Sequence, residues 1–276
     1  MRFVRYGEKG AEKPAVLDAE GHLRDLSGVI GDLSGAVLAD LPQVDPQSLP
    51  RVAGNPRLGV PVAGIGKIIC IGLNYSDHAA EAGMAEPDEP IVFMKATSAL
   101  SGPNDTVLLP RGSQKSDWEV ELGVVIGREA KYVSKDNALD YVAGYTIVND
   151  LSERAFQIER GGQWTKGKSC DTFGPVGPWL VTPDAVGDPQ NLAMELDLNG
   201  AAAQRGNSAS MIFTVAEIIA HLSEMMRLEP GDVIATGTPP GVGMGMKPPR
   251  FLREGDEMVL RIEGLGEQRQ SVARDG

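Results

Sequence analysis

At 276 residues the chain is long enough to bury the core of an enzyme, and 42% hydrophobic with 23% charged residues describe a soluble globular protein rather than a disordered one. A formal net charge of -12 argues against a nucleic-acid partner, because no Lys/Arg-rich patch is present to displace counterions; small anionic substrates remain open if local cations or a metal hold them. No apolar run approaches the roughly 20 residues of a membrane span, the start Met1-Arg-Phe-Val-Arg-Tyr lacks a signal-peptide core, and Cys70 and Cys170 are too few for a disulfide framework or a four-cysteine zinc site. The expected setting is cytoplasmic, with both thiols reduced.

Short strands open the chain, over residues 1 to 6, 14 to 17 and 22 to 26, with a turn at Glu20-Gly21 and a small helical piece within 30 to 38. Five prolines (42, 46, 50, 56 and 61) then mark a connector, so residues 1–62 read as a small N-terminal β-rich module and 63–276 as the main domain. A longer apolar strand, Ile68–Gly72, follows. Asn74 or Ser76 is placed to cap a short helix over 77 to 82 that Gly83 stops. On it His78 and Glu81 stand three apart, share a face and can hydrogen-bond, which would orient an imidazole as general base. An ordinary surface pair has the same spacing. The other histidines offer less: His22 has no acid at helical spacing, and His221, near Glu217 and Glu224, lies in a helix that reads as scaffold.

Most of the chemistry lies in Asp117-Trp-Glu-Val-Glu-Leu-Gly123. Residues 118 to 126 have the pattern of a strand, on which Glu119 and Glu121 point the same way. Two carboxylates in one small space raise one pKa or demand a cation; pairing with surface lysines on an edge strand is the competing arrangement. A strand at 144 to 149 leads into Asp150, a third carboxylate, giving three of the roughly six oxygens that Mg2+ prefers. Arg154 and Gln157 fall on one side of a helical turn begun by Ser152, suited to a substrate carboxylate or hydroxyl. The glycine- and proline-bounded loop from Lys166 to Pro178 carries Lys168, able to meet a carboxylate or an oxyanion. Further strands are expected over 194 to 198, 232 to 236 and 258 to 262, and a helix over 215 to 226. The turn Ala235-Thr-Gly-Thr-Pro-Pro-Gly would set backbone amides and Thr238 beside a pocket. The sum is a mixed α/β, β-dominated architecture.

Taken in order, several blocks make the chain resemble the fumarylacetoacetate hydrolase family, in particular its short bacterial members that act on 2,4-dioxo acids. They are Gly72-Leu-Asn-Tyr-Ser-Asp-His78-Ala-Ala-Glu81, Pro90-Ile-Val-Phe-Met-Lys95, Asp117-Trp-Glu119-Val-Glu121, Asn149-Asp150-Leu-Ser-Glu-Arg154, Lys166-Gly-Lys168-Ser-Cys-Asp171 and Thr236-Gly-Thr238-Pro. The resemblance implies a rolled mixed β-sheet in the catalytic domain, a homodimer, and Mg2+ or Mn2+ bound by Glu119, Glu121 and Asp150. His78 and Glu81 fall on the family's water-activating pair, Lys168 on the lysine that polarises the substrate, and Arg154, Gln157 and Thr238 on substrate contacts.

The implied reaction is hydrolysis of a carbon-carbon bond in an acylpyruvate or a 2,4-diketo-3-deoxy sugar acid, with release of pyruvate. Ureidoglycolate cleavage, oxaloacetate decarboxylation and isomerisation of an unsaturated dioxo acid are the neighbouring reactions. The sugar-acid form would use segment 242 to 246 with Gln157 and Gln163 as hosts for a hydroxylated tail. A metal- and ligand-binding protein without turnover is the non-enzymatic alternative, and the presence of every residue of the set speaks against it.

Overall fold

The computed structural model describes residues 1–276, the side chain of Ala82 excepted. Three short strands, β1 (Arg2–Tyr6), β2 (Lys13–Leu17) and β3 (Leu23–Asp25), make an antiparallel meander. In chain order there follow β4 (Ile68–Gly72), β5 (Ile91–Lys95), β6 (Leu100–Ser101), β7 (Val107–Leu109), β8 (Ser116–Asp117), β9 (Val120–Ile126), β10 (Val142–Asn149), β11 (Ser152–Glu153) and β12 (Gly174–Val181). The last strands are β13 (Ala193–Leu198), β14 (Ala201–Asn207), β15 (Val233–Ala235), β16 (Glu257–Ile262) and β17 (Gly266–Arg274). The α-helices are α1 (Ser76–Ala82), α2 (Arg154–Ile158), α3 (Thr165–Lys168), α4 (Pro183–Val186) and α5 (Val215–Met225). One sheet runs β3-β2-β1-β12-β10-β9-β15-β4-β5, with β6 beside β12; it is mixed, because β15 with β4 and β6 with β12 pair parallel. A second sheet, β14-β13-β16-β17-β7, packs on it.

The pleat divides β9 between two cores. Val120, Leu122, Val124 and Ile126 enter the space between the sheets, against Met194, Leu196, Met258 and Leu260 and the apolar side of α5. At about 1.5–3 kcal/mol for each such side chain taken out of water, this face holds sheet on sheet. Glu121 and Val125 therefore point the other way, where Val125 joins Phe3, Val16, Leu26, Ile68 and Cys70 in a second core. The N-terminal strands thus extend the main sheet through β1 and β12 and cover its outer face. The proline-rich stretch is tied along β3, with Asp25 N–H donating to Pro50 O at 2.8 Å and Val52 N–H to Leu23 O at 2.9 Å.

Several local expectations are corrected. The helical piece within 30 to 38 is a 3-10 turn at Gly35–Ala39. Neither Asn74 nor Ser76 caps α1, whose N-cap is Tyr75. The Asn74 amide instead ties two distant segments together, donating to Phe213 O at 3.0 Å and Thr236 O at 2.8 Å. Gly83 does end the helix, at φ 67°. Glu153 rather than Ser152 caps α2, accepting from Ala155 N–H. The loop expected from Lys166 to Pro178 is the end of α3 followed by β12, a strand between β1 and β10 whose prolines disguised it. Glu119 lies in the break between β8 and β9, not within a strand.

Candidate active site

A fixed register brings the three carboxylates together. β9 and β10 pair Glu121 with Val148 and Val120 with Asn149, so the residue before β9 meets the residue after β10. Asp150 N–H accordingly donates to Glu119 O at 2.9 Å. Side-chain oxygens of Glu119, Glu121 and Asp150 all lie within 4.8 Å of one another, and all three residues are buried. The surface-lysine arrangement is thereby excluded, since the cations that meet these acids are themselves buried.

Lys168 Nζ donates to Glu119 Oε2 at 2.6 Å, to Asp150 Oδ2 at 2.8 Å and to Asp150 O at 3.2 Å. Lys95 Nζ donates to Asp150 Oδ1 at 2.6 Å and to Leu151 O at 2.9 Å. Arg154 donates from Nε to Asp117 Oδ2 at 2.9 Å and from Nη1 to Gln157 Oε1 at 3.1 Å. Its Nη2 lies 2.7 Å from Glu119 Oε1, an ion pair without hydrogen-bond alignment. Burial alone would raise the Glu119 pKa, but Lys168 and Arg154 outweigh it and hold the carboxyl at about 2. Glu121 differs: burial, then the charges of Asp150 and Glu119, push it well above the usual carboxylate range. Among the described residues its one hydrogen-bond donor is Gly237 N–H, at 2.8 Å.

Those details test whether the residues suit a divalent ion, and they do. Four buried carboxylates, counting Asp117, face three cations, Lys95, Lys168 and Arg154, and Glu121 has no cation of its own. Hard oxygen donors this close together match Mg2+ or Mn2+. Lys168 reaches them because α3 lies tight on α2: a Cβ at Gly167 would come within 2.4 Å of Glu153 O and 2.6 Å of Gln157 Cβ, so only glycine fits there.

On α1, His78 Nδ1 lies 3.1 Å from Glu81 Oε2. Glu81 is held in turn by Gly241 N–H, 3.0 Å from Oε1. The Gly241 loop is also anchored on the acid cluster, Gly243 N–H donating to Asp117 Oδ1 at 2.6 Å and Met244 N–H to Asp117 Oδ2 at 3.0 Å. One short loop therefore spaces the imidazole from the carboxylates.

A cavity of about 120 Å3 joins the parts, with His78, Glu119, Glu121, Arg154, Gln157, Lys168 and Thr238 on its wall. That volume, below the roughly 300–1,000 Å3 of drug-sized sites, suits a small substrate. Thr238 Oγ1 donates to Val120 O at 2.9 Å and accepts from Gln204 Nε2 at 2.8 Å. The expected host Gln163 is exposed and outside the cavity, because the chain turns between α2 and α3 before reaching it. Segment 242 to 246 contributes Met244.

Lys95, Gln204 and Trp164 belong to the site without a sequence signal that singles them out, whereas the Gly237 amide comes from the turn expected to set backbone amides beside the pocket. Lys95 stood in a recognisable block, but nothing local tells that the end of β5 will face Asp150. Lys95→Met is expected to cost about 3 kcal/mol, because it deprives a buried carboxylate of one cation. A lowered thermal midpoint checks this, and an unchanged one would remove Lys95 from the support of Asp150.

With this geometry in view, comparisons with known proteins agree. The family model described as fumarylacetoacetate (FAA) hydrolase C-terminal matches residues 67–273. A Burkholderia lata protein named as a candidate hydrolase is 60% identical over 276 residues, with 98% of each chain covered. Among solved structures, fumarylacetoacetate hydrolase from Exiguobacterium antarcticum is similar over all of both chains, with a TM-score of 0.90 and 37% identity. A maleylpyruvate hydrolase from Sphingobium is similar over all of both chains at a TM-score of 0.82 and 30% identity. For a 5-carboxymethyl-2-hydroxymuconate delta-isomerase from Mycobacterium smegmatis, again over all of both chains, the values are 0.80 and 32%. Sequence and fold together make this chain a member of the fumarylacetoacetate hydrolase family.

Proposed function

We propose that the protein is a divalent-metal-dependent hydrolase that splits the C3-C4 bond of a 2,4-dioxo acid and releases pyruvate. The observation that carries this reading is that His78, paired with Glu81, shares the wall of one small cavity with Glu119 and Glu121, whose carboxylates lie within 4.8 Å of that of buried Asp150. Glu119, Glu121 and Asp150 would hold Mg2+ or Mn2+, which when bound supplies Lewis-acid polarisation of the 2-oxo acid head.

The chain's own residues account for the rest. Glu81 accepts the Nδ1 proton of His78, leaving Nε2 to take a proton from water as its oxygen attacks C4. Glu81 also stabilises the imidazolium so formed. Breaking C3-C4 leaves an electron pair on C3 that delocalises onto the C2 oxygen, and the imidazolium returns its proton to C3. Water has then added OH to C4 and H to C3. Lys168 keeps a fixed positive charge at the cavity wall, where it favours the negative charge developing on the dioxo head. The unaligned Nη2 of Arg154 is placed to donate to the substrate carboxylate. Gln157 steadies that guanidinium, and the Thr238 hydroxyl keeps a lone pair toward the substrate.

The same reading takes residues 63–276 as the catalytic unit, residues 1–62 as an extension of its sheet, and a cytoplasmic homodimer as the working form. Turnover in 18O-labelled water tests the reaction type. Hydrolysis puts one labelled oxygen into the acid released from C4, whereas a dioxo-acid isomerase would return a rearranged substrate and release no acid.

A further inference from the structure

Beyond the closed, charged end of the active cavity, its mouth is apolar. Three of the seven exposed large hydrophobic side chains among the described residues lie there: Met84 (53% exposed), Ile158 (50%) and Met244 (38%). Scattered singly such residues need no explanation, but several rimming one cavity do. Behind them stands Trp164, seated by design of its neighbours. A Cβ at Gly72 would come within 2.5 Å of Trp164 Cζ3, so β4 ends in the residue that lets the indole lie over it. Phe93 meets Trp164 edge-on, with centroids 5.3 Å apart and planes at 65°. Leu73, at φ 52°, is a branched residue in the left-handed region whose side chain completes the wall; such strain persists only where the surroundings impose it.

Provision for polar groups on the same wall is sparse by comparison. Arg154 and Lys168 are the only Lys or Arg side chains on the cavity wall among the described residues, and both are engaged by buried acids at the closed end. His78 is held by Glu81. Gln157 accepts from Arg154 through Oε1, which leaves its Nε2 amide as the one uncommitted side-chain amide on the wall among the described residues, and Thr238 donates its proton to Val120 O. A carboxylate or a row of hydroxyls at the mouth would lose water and gain at most that single neutral donor in return.

Resting on the function proposed above, we infer that the group carried on C4 of the substrate is uncharged and apolar, alkyl or aryl, and that Trp164 is the residue that selects it. The preference excludes a polyhydroxylated sugar-acid tail and a second carboxylate.

The test is kcat/KM with Mn2+ for 2,4-dioxo acids bearing methyl, n-butyl, phenyl, carboxyethyl and polyhydroxyalkyl tails. Butyl and phenyl should exceed methyl by roughly tenfold or more, given about fourfold for each fully buried methylene. Carboxyethyl and polyhydroxyalkyl should fall at or below methyl. Trp164→Ala should lower the butyl-to-methyl ratio about tenfold and Trp164→Phe should restore most of it. Ile158→Arg, at an exposed position that tolerates change, should raise the carboxyethyl-to-butyl ratio. Preference for either polar tail, or a ratio untouched by Trp164→Ala, overturns the inference while leaving hydrolysis intact. Should none of the series turn over, the proposed function falls instead, and the tail is read from thermal shifts with 2-oxoheptanoate and 2-oxoglutarate. A larger shift with the first supports the apolar mouth, and an equal or larger shift with the second refutes it.

Discussion

Glu121→Gln is expected to cut turnover by roughly 10²- to 10³-fold or more, the loss of several kcal/mol of charge stabilisation, while leaving the fold at least as stable as before. The two effects part because Glu121 is a buried acid that forms no ion pair of its own among the described residues, Lys168 being paired with Glu119 and Asp150. The amide keeps the shape and can still accept from Gly237 N–H, and it removes one of three carboxylates crowded within 4.8 Å. Relief of like-charge repulsion should leave the thermal midpoint unchanged or raise it, by about 2–4 °C for each kcal/mol gained. Titration with Mn2+ should show binding weakened by more than about a hundredfold, above the roughly 10–100-fold of a lost outer-shell partner, because a charged ligand becomes a neutral amide. Glu119→Ala would not discriminate so well, because it takes from buried Lys168 and Arg154 one of the two carboxylates that each contacts and costs about 3–5 kcal/mol in addition to any loss of metal. Wild-type turnover by Glu121→Gln would remove the carboxylates from the chemistry.

His78→Asn is expected to lower hydrolysis by roughly 10²- to 10⁴-fold, as for a lost general base, with Mn2+ affinity nearly unchanged. His78 touches none of the three carboxylates by hydrogen bond; its recorded partner is Glu81. Glu81→Gln should have the same direction and a smaller effect, because the Gln carbonyl can still accept from the imidazole but carries no charge to stabilise the imidazolium. Hydrolysis rates and metal titration on the same preparations separate base from ligand. A His78→Asn protein that keeps its rate would take the imidazole out of the mechanism.

The carboxylates were legible because their placement is local: alternation along β9 sets the side on which Glu121 points, and adjacency of β9 and β10 brings in Asp150. The His78–Glu81 pair was legible for the same reason, being one turn of helix. Partners across the chain were not. Lys95 meets an acid 55 positions away, and nothing in Ile91–Lys95 distinguishes it from a strand-end lysine in water. Asn74 has the composition of a cap yet serves a longer-range bond, since a buried amide with two carbonyls in reach gains more there than at a frayed helix end. β12 was hidden by Pro175 and Pro178, which lack N–H groups; Pro178 falls where the ladder with β10 shifts register, and Pro175 lies beyond those pairs, opposite Ser101 of β6. Gln157 and Gln163 look alike in sequence; one lies on the cavity wall and the other in solvent because α2 ends between them.

The most direct test of metal-dependent cleavage is pyruvate release from 2,4-dioxopentanoate by protein stripped with a chelator, before and after Mn2+ is returned. The account predicts no release from the stripped protein and full recovery at about one ion per chain. Undiminished release without metal, or none from this or any other 2,4-dioxo acid with either Mg2+ or Mn2+ present, would contradict it.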